Sequence, residues 1–262
     1  MNISIIGFGN MAQAIAKGLL SDKSNRLRVA APSLTEGVTL EGIQTHSDNL
    51  AITALADIII LAVKPAQMKS VLTEIKLEIP KKALIISVAS GKTLDWLSAN
   101  TAPSLAIIRA MPNIAAAIHQ SATPLIANQH VTHSQKTWAS NLFNTMGLTT
   151  WIEDEGLMDS FTALSGSGPA YVFLFMEAMV AAAIEQGIPE DIATSFTLQT
   201  LKGALDVAIL KDKSFSNLRA TVTSPAGTTA AAIHVLKTRG FDALIRDAMR
   251  AACMRSRELG IL

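Results

Sequence analysis

The sequence predicts an α/β chain in two parts, a doubly wound parallel sheet followed by an all-α domain. Three observations carry that prediction. A glycine turn, Gly7-Phe8-Gly9-Asn10-Met11-Ala12, stands directly between a short apolar strand and an Ala-rich helix. Continuous apolar runs then alternate with helical patterns, as expected of strands buried on both faces. Beyond about residue 155 the strand-like runs stop and the pattern is helical.

The elements follow in order. The first strand ends at Ile6, and the helix after the glycine turn covers residues 10–20. Further apolar runs bounded by polar or turn residues fall at 27–31, 58–63, 84–88 and 105–108, with helical patterns at 67–79 and 94–99. Residues 122–126 extend the sheet, followed by a helix over 134–146 and a short strand at 149–152. A boundary near 153–156 then separates a dinucleotide-binding domain, 1–155, from a helical domain, 156–262. Within the second domain Gly187-Ile188-Pro189 is a break, and residues 211–216 form a polar link.

The glycine turn has the chemistry of a dinucleotide site, which makes the first domain Rossmann-like. Gly7 permits the tight turn, and Gly9 lets the backbone approach a pyrophosphate. The free amides and positive end of the helix dipole receive its charge. The third position is Ala12, which still allows helix and strand to pack closely. After the second strand, Ala30-Ala31-Pro32-Ser33 lacks the Asp or Glu that would bind a ribose 2′-hydroxyl. This tilts the cofactor toward NADP, with NAD as the alternative, although the Arg expected for a 2′-phosphate is missing too.

Other candidates lie at strand or helix ends. Ala62-Val63-Lys64-Pro65 occupies the carboxyl end of a strand, where Lys64 either faces a nucleotide or is a solvated loop lysine. Arg109-Ala110-Met111-Pro112-Asn113 reads as a structural loop, with Asn113 suited to a turn. In the helical domain, Ser165-Gly166-Ser167-Gly168-Pro169-Ala170 and Thr223-Ser224-Pro225-Ala226-Gly227-Thr228-Thr229 both precede helices. Each offers hydroxyls and amides to a small carboxylate, and each could equally be simple N-capping.

Composition narrows the function. Twenty-two basic against twenty-one acidic residues give a net charge of +1, which disfavours nucleic acid and anionic membrane surfaces as partners. The single cysteine, Cys253, cannot form an intrachain disulfide, and the chain opens on a strand with no cleavable leader, so a reducing cytoplasm is expected. His130-x-x-His133 lacks a carboxylate partner, so no metal is expected. The hydrophobic fraction is high at 49%. Its most apolar stretch, 170–184, carries Glu177 and is short for a membrane span, so burial against another copy, as a homodimer or higher homo-oligomer, is the economical explanation.

Taken in order, the glycine turn, Ala62 to Pro65, Arg109 to Asn113, Ser165 to Tyr171 and Thr223 to Thr229 resemble the pyrroline-5-carboxylate reductase family. The resemblance covers nearly the whole chain, and its last two motifs are the specific ones. It implies reduction of 1-pyrroline-5-carboxylate to L-proline with NAD(P)H, the last step of proline biosynthesis, by interlocked dimers. It further implies that Ile6, Gly7, Phe8, Gly9, Asn10, Met11, Ser33, Asn49, Ala62, Val63, Lys64 and Pro65 line the nucleotide. Ser224, Thr228 and Thr229 would hold the substrate, with the Thr229 hydroxyl beside the imine nitrogen as the catalytic group.

The chain departs from the family pattern at Ala226, where Gly is usual, at Ala220, where Asp is usual, and at Ser121, where Gly is usual. A positive φ at residue 226 would strain the loop. Two other readings compete: a reductase of another small carboxylate or imine, such as a β-hydroxyacid, and a weakly active or regulatory nucleotide-binding paralogue. The β-hydroxyacid reading needs a catalytic Lys early in the helical domain, and none occurs between Leu157 and Lys202.

Overall fold

The structure is a computed structural model and describes residues 1–261. Nine strands form one sheet: β1 Asn2–Ile6, β2 Arg26–Ala30, β3 Gly37–Val38, β4 Gln44–His46, β5 Ile58–Leu61, β6 Leu84–Ser87, β7 Ala106–Ala110, β8 Ser121–Ala127 and β9 Gly147–Trp151. Their order is β3-β4-β2-β1-β5-β6-β7-β8-β9. Strands β1, β2, β4, β5, β6 and β7 run parallel, and the direction of winding reverses between β1 and β5. That reversal is the switch point at which open α/β sheets bind ligands.

The sheet buries both faces because its central strands are apolar at most positions, with Ser4, Ser87 and Arg109 as the buried polar exceptions. In β5, Ile58 and Ile60 join Ile3, Ile5, Ile15, Leu27 and Phe143 on one side. Ile59 and Leu61 join Ile6, Ile52, Leu72 and Ile85 on the other. The covering helices are α1 Asn10–Leu19, α2 Leu50–Thr53, α3 Met68–Ile75, α4 Leu94–Ala99 and α5 His133–Asn144. A capping box in which Thr132 and Gln135 satisfy one another's backbone amides starts α5.

The sheet is mixed rather than purely parallel. Strand β8 runs antiparallel to β7, because the link between them holds only a 3-10 turn, Ile114–Ile118. A parallel return needs a crossover of a dozen or more residues. The antiparallel pair β3 and β4 lies in a polar stretch with no strand signal of its own, and it borrows stability from β2.

After Trp151 the chain is helical: α6 Met158–Phe161, a π turn at Thr162–Gly166, α7 Gly168–Glu185, α8 Glu190–Leu210, α9 Phe215–Thr221, α10 Thr228–Thr238 and α11 Phe241–Ile261. Two compact units result, one of Met1–Pro169 with the chain from Arg250 on, the other of Ala170–Met249. In the second unit only Ala193 and Thr197 are buried, whereas Phe173, Leu174, Phe196, Leu205, Leu210 and Phe215 are exposed. An open apolar groove of about 540 Å³ runs between α7 and α8, lined by Phe173, Met176, Val180, Ile184 and Leu198. The helical run is longer than the apolar stretch read from sequence. Residues Glu155–Glu185 are, among the described residues, long and apolar enough to cross a membrane by length and composition alone.

Candidate active site

The carboxyl ends of β1, β2, β4 and β5 bring most of the expected nucleotide residues to one rim. Ile6 ends β1, and the strand exit is tied to both neighbours: the Gly7 amide donates to Ala30 O at 2.8 Å, and Ile6 O accepts from the Ala62 amide at 2.8 Å. Gly7 has φ +93°, and a Cβ there would sit 2.6 Å from Ala62 O, so only glycine fits. Phe8 is pinned through its carbonyl, which accepts from Gln13 Nε2 at 3.1 Å. Gly9 is the opposite case: a Cβ on it would meet nothing within 4 Å. Gly9 is the N-cap of α1, no side chain caps the helix, and its first turn, with Asn10 and Met11, carries no acid. Open space, uncapped amides and the helix dipole at one point fit a pyrophosphate.

The remaining rim residues divide by their commitments. Ser33 is exposed in a turn closed by the Leu34 amide donating to Ala31 O at 2.9 Å. Ala62 and Val63 are half-buried beside Gly7, and Lys64 is exposed, preceding the 3-10 turn that Pro65 opens. Asn49 differs, because its amide already donates to Glu74 Oε2 at 3.0 Å. The first acid after β2 in the chain is Glu36, which is exposed and lies 3.9 Å from His46 Nδ1.

The second unit supplies the other candidate group. Helix α10 begins at Thr228, so Thr228 and Thr229 lie in its first turn and do not precede it as the sequence reading had them. Its N-cap is Gly227, without a side-chain cap. Among the described residues, the hydroxyls of Ser224, Thr228 and Thr229 have no hydrogen-bond partner, whereas that of nearby Thr223 donates to Arg219 O at 2.7 Å. Capping therefore does not explain these hydroxyls. Ala226 adopts φ +57°, left-handed backbone that costs a residue with a Cβ about 1–2 kcal/mol.

Residues 109–113, expected as a loop, begin inside β7 with Arg109 and Ala110 and run on as an extended segment. Arg109, 4% exposed, pairs through Nη1 with Glu155 Oε1, which also accepts from the Leu94 amide at 2.7 Å. Met111 Cε lies 3.2 Å from where a Cβ on Gly166 would be. Asn113 caps Ala115 and donates to Ser165 O at 2.8 Å. Alternate residues of one extended segment thus grip the chain from 155 to 166. The available signal was an Arg ending an apolar strand, followed by Asn two residues past Met111.

A Gly-rich turn at the switch point of a doubly wound sheet, followed by a helical unit with hydroxyls at a helix start, defines a nicotinamide-dependent oxidoreductase. The family model for pyrroline-5-carboxylate reductase dimerisation matches residues 155–259, and that for coenzyme F420-dependent NADP oxidoreductases matches residues 2–91. The pyrroline-5-carboxylate reductase of Pseudomonas aeruginosa is 37% identical over 98% of this chain and 96% of its own. A solved pyrroline-5-carboxylate reductase from Coxiella burnetii is 39% identical with TM-score 0.87, covering 98% of both chains. The Plasmodium falciparum pyrroline carboxylate reductase with NADP bound aligns at TM-score 0.91 and 29% identity, covering 99% of this chain and 98% of its own. The chain belongs to the pyrroline-5-carboxylate reductase family.

Proposed function

We propose that this chain reduces 1-pyrroline-5-carboxylate to L-proline as the last step of proline biosynthesis, as a homodimer or larger assembly in the cytoplasm, using NADPH in preference to NADH. The observation that carries the reading is the contrast between two helix starts. The open, uncapped start of α1 suits a dinucleotide pyrophosphate, and the uncommitted hydroxyls at the start of α10 suit a small anionic substrate. The cofactor preference rests on the β2 exit, which lacks the acid that would hold a free ribose hydroxyl.

Bound NADPH supplies a hydride. Gly7 and Gly9 hold the nucleotide close to the sheet rim, and the α1 amides take the pyrophosphate charge. Ser224, Thr228 and the α10 amides hold the substrate carboxylate. With the imine nitrogen protonated, its N–H would donate to Thr229 Oγ1, which would fix the orientation of the substrate ring. A protonated iminium needs no strong general acid, so positioning suffices.

The test is oxidation of NADPH on addition of pyrroline-5-carboxylate, followed by the same assay on Thr229→Ala. The substitution is expected to lower kcat/KM by roughly 10- to 1,000-fold while NADPH affinity and melting temperature stay near wild type. Unchanged kinetics with a lower melting temperature would reduce Thr229 to a helix-stabilising residue.

A further inference from the structure

In the turn before α7 one carbonyl lacks its regular α-helical donor. In a continuing helix Ser165 O would accept from the amide four residues on, but that residue is Pro169, which has no N–H. The π turn satisfies Thr162 O, through the Ser167 amide at 2.8 Å. Asn113 Nδ2 supplies the donor for Ser165 O, at 2.8 Å. The orientation of this carboxamide is over-determined. Its Oδ1 accepts from the Ala115 amide at 3.0 Å, the Asn113 backbone amide donates to Ser121 Oγ at 3.0 Å, and the residue is 9% exposed. With the oxygen held by Ala115, the NH2 group has one direction left, toward Ser165. Ser121, a departure from the family pattern, is thus part of the support.

We propose that Asn113 is a positioning residue for the reductase reaction, setting the first turn of α7 by replacing the amide that Pro169 lacks. The proposal rests on the reading of the chain as a reductase. The segment from Ser165 to Ala170 is one of the two helix starts that offer amides to a small carboxylate, and Met111, from the same strand exit as Asn113, packs against Gly166 in that segment. A displacement of about 1 Å at such a place costs on the order of 100-fold in rate without touching the chemistry.

Asn113→Asp is the sharp variant, because it keeps the acceptor for Ala115 and turns an oxygen toward Ser165 O. It is expected to reduce kcat/KM for pyrroline-5-carboxylate by roughly 10- to 100-fold while the NADPH dissociation constant stays within about twofold. Thr93→Ala, which removes the α4 cap to the Trp96 amide, serves as a control that lowers melting temperature and spares the kinetics. The second arm is a double-mutant cycle. Pro169→Ala restores an N–H at 169, so Asn113→Ala should cost at least about fivefold less in that background than in wild type. Wild-type kcat/KM in Asn113→Asp, or equal losses in both backgrounds, overturns the proposal. If the wild-type chain does not turn over pyrroline-5-carboxylate, the reductase reading fails, and coupling between 113 and 169 is read from melting temperatures instead.

Discussion

The sheet unit and the helical unit treat their apolar residues in opposite ways. In the first, β1, β5, β6 and β7 are buried along almost their whole length, and the core closes on both faces. In the second, α7 has no buried residue at all, although it is the most apolar helix. A soluble helix that is apolar all round needs a partner surface, and the dimerisation match over residues 155–259 says what kind. The nucleotide domain closes its core within one chain, whereas the helical unit, which matches a dimerisation family, leaves its apolar faces exposed.

The largest expected effect comes from breaking that second condition. Leu174 on α7 is 66% exposed, and an isolated surface site of that kind would accept Asp within about 0.5 kcal/mol. Leu174→Asp is instead expected to prevent assembly and reduce activity by at least about 100-fold, as seen by sedimentation and steady-state kinetics. Retained assembly with full activity would place Leu174 outside the interface.

The matching perturbation of the self-contained unit is Gly7→Ala. A methyl group 2.6 Å from Ala62 O, on backbone at φ +93°, is expected to destabilise by about 1–3 kcal/mol and weaken NADPH binding. Assembly should survive, since the affected core is internal. Chemical denaturation and a nucleotide titration check both parts.

The smallest effect sharpens the site rather than breaking it. Ala226→Gly removes the Cβ from a left-handed residue and should stabilise the chain by about 1 kcal/mol, raising the melting temperature without reducing turnover. A lower melting temperature would mean that the loop tolerates φ +57° without strain.

Much of this was legible in sequence because it is local. The glycine turn, the largely apolar runs ending at Ile6, Leu61 and Ser87, and the presence of the α10 helix depend on neighbours within a few residues. The β3–β4 hairpin was not legible, since Gly37–Val38 and Gln44–His46 lack apolar alternation and exist only by pairing with β2. The antiparallel turn of β8 depends on a link too short to cross over, a property of length and not of pattern. Arg109 with Glu155, and Asn113 with Ser165, join residues far apart in the chain, which periodicity cannot reveal. For Ala226 the family pattern pointed to a left-handed residue, and the backbone adopts one.

The most direct test of the division between the units is the mass of the active enzyme in solution. One chain is 27.8 kDa, and light scattering at micromolar concentration, measured alongside NADPH-dependent turnover, is expected to give at least twice that value. A fully active species of 27.8 kDa would contradict the account, because the exposed faces of α7 and α8 would then have to be stable in water.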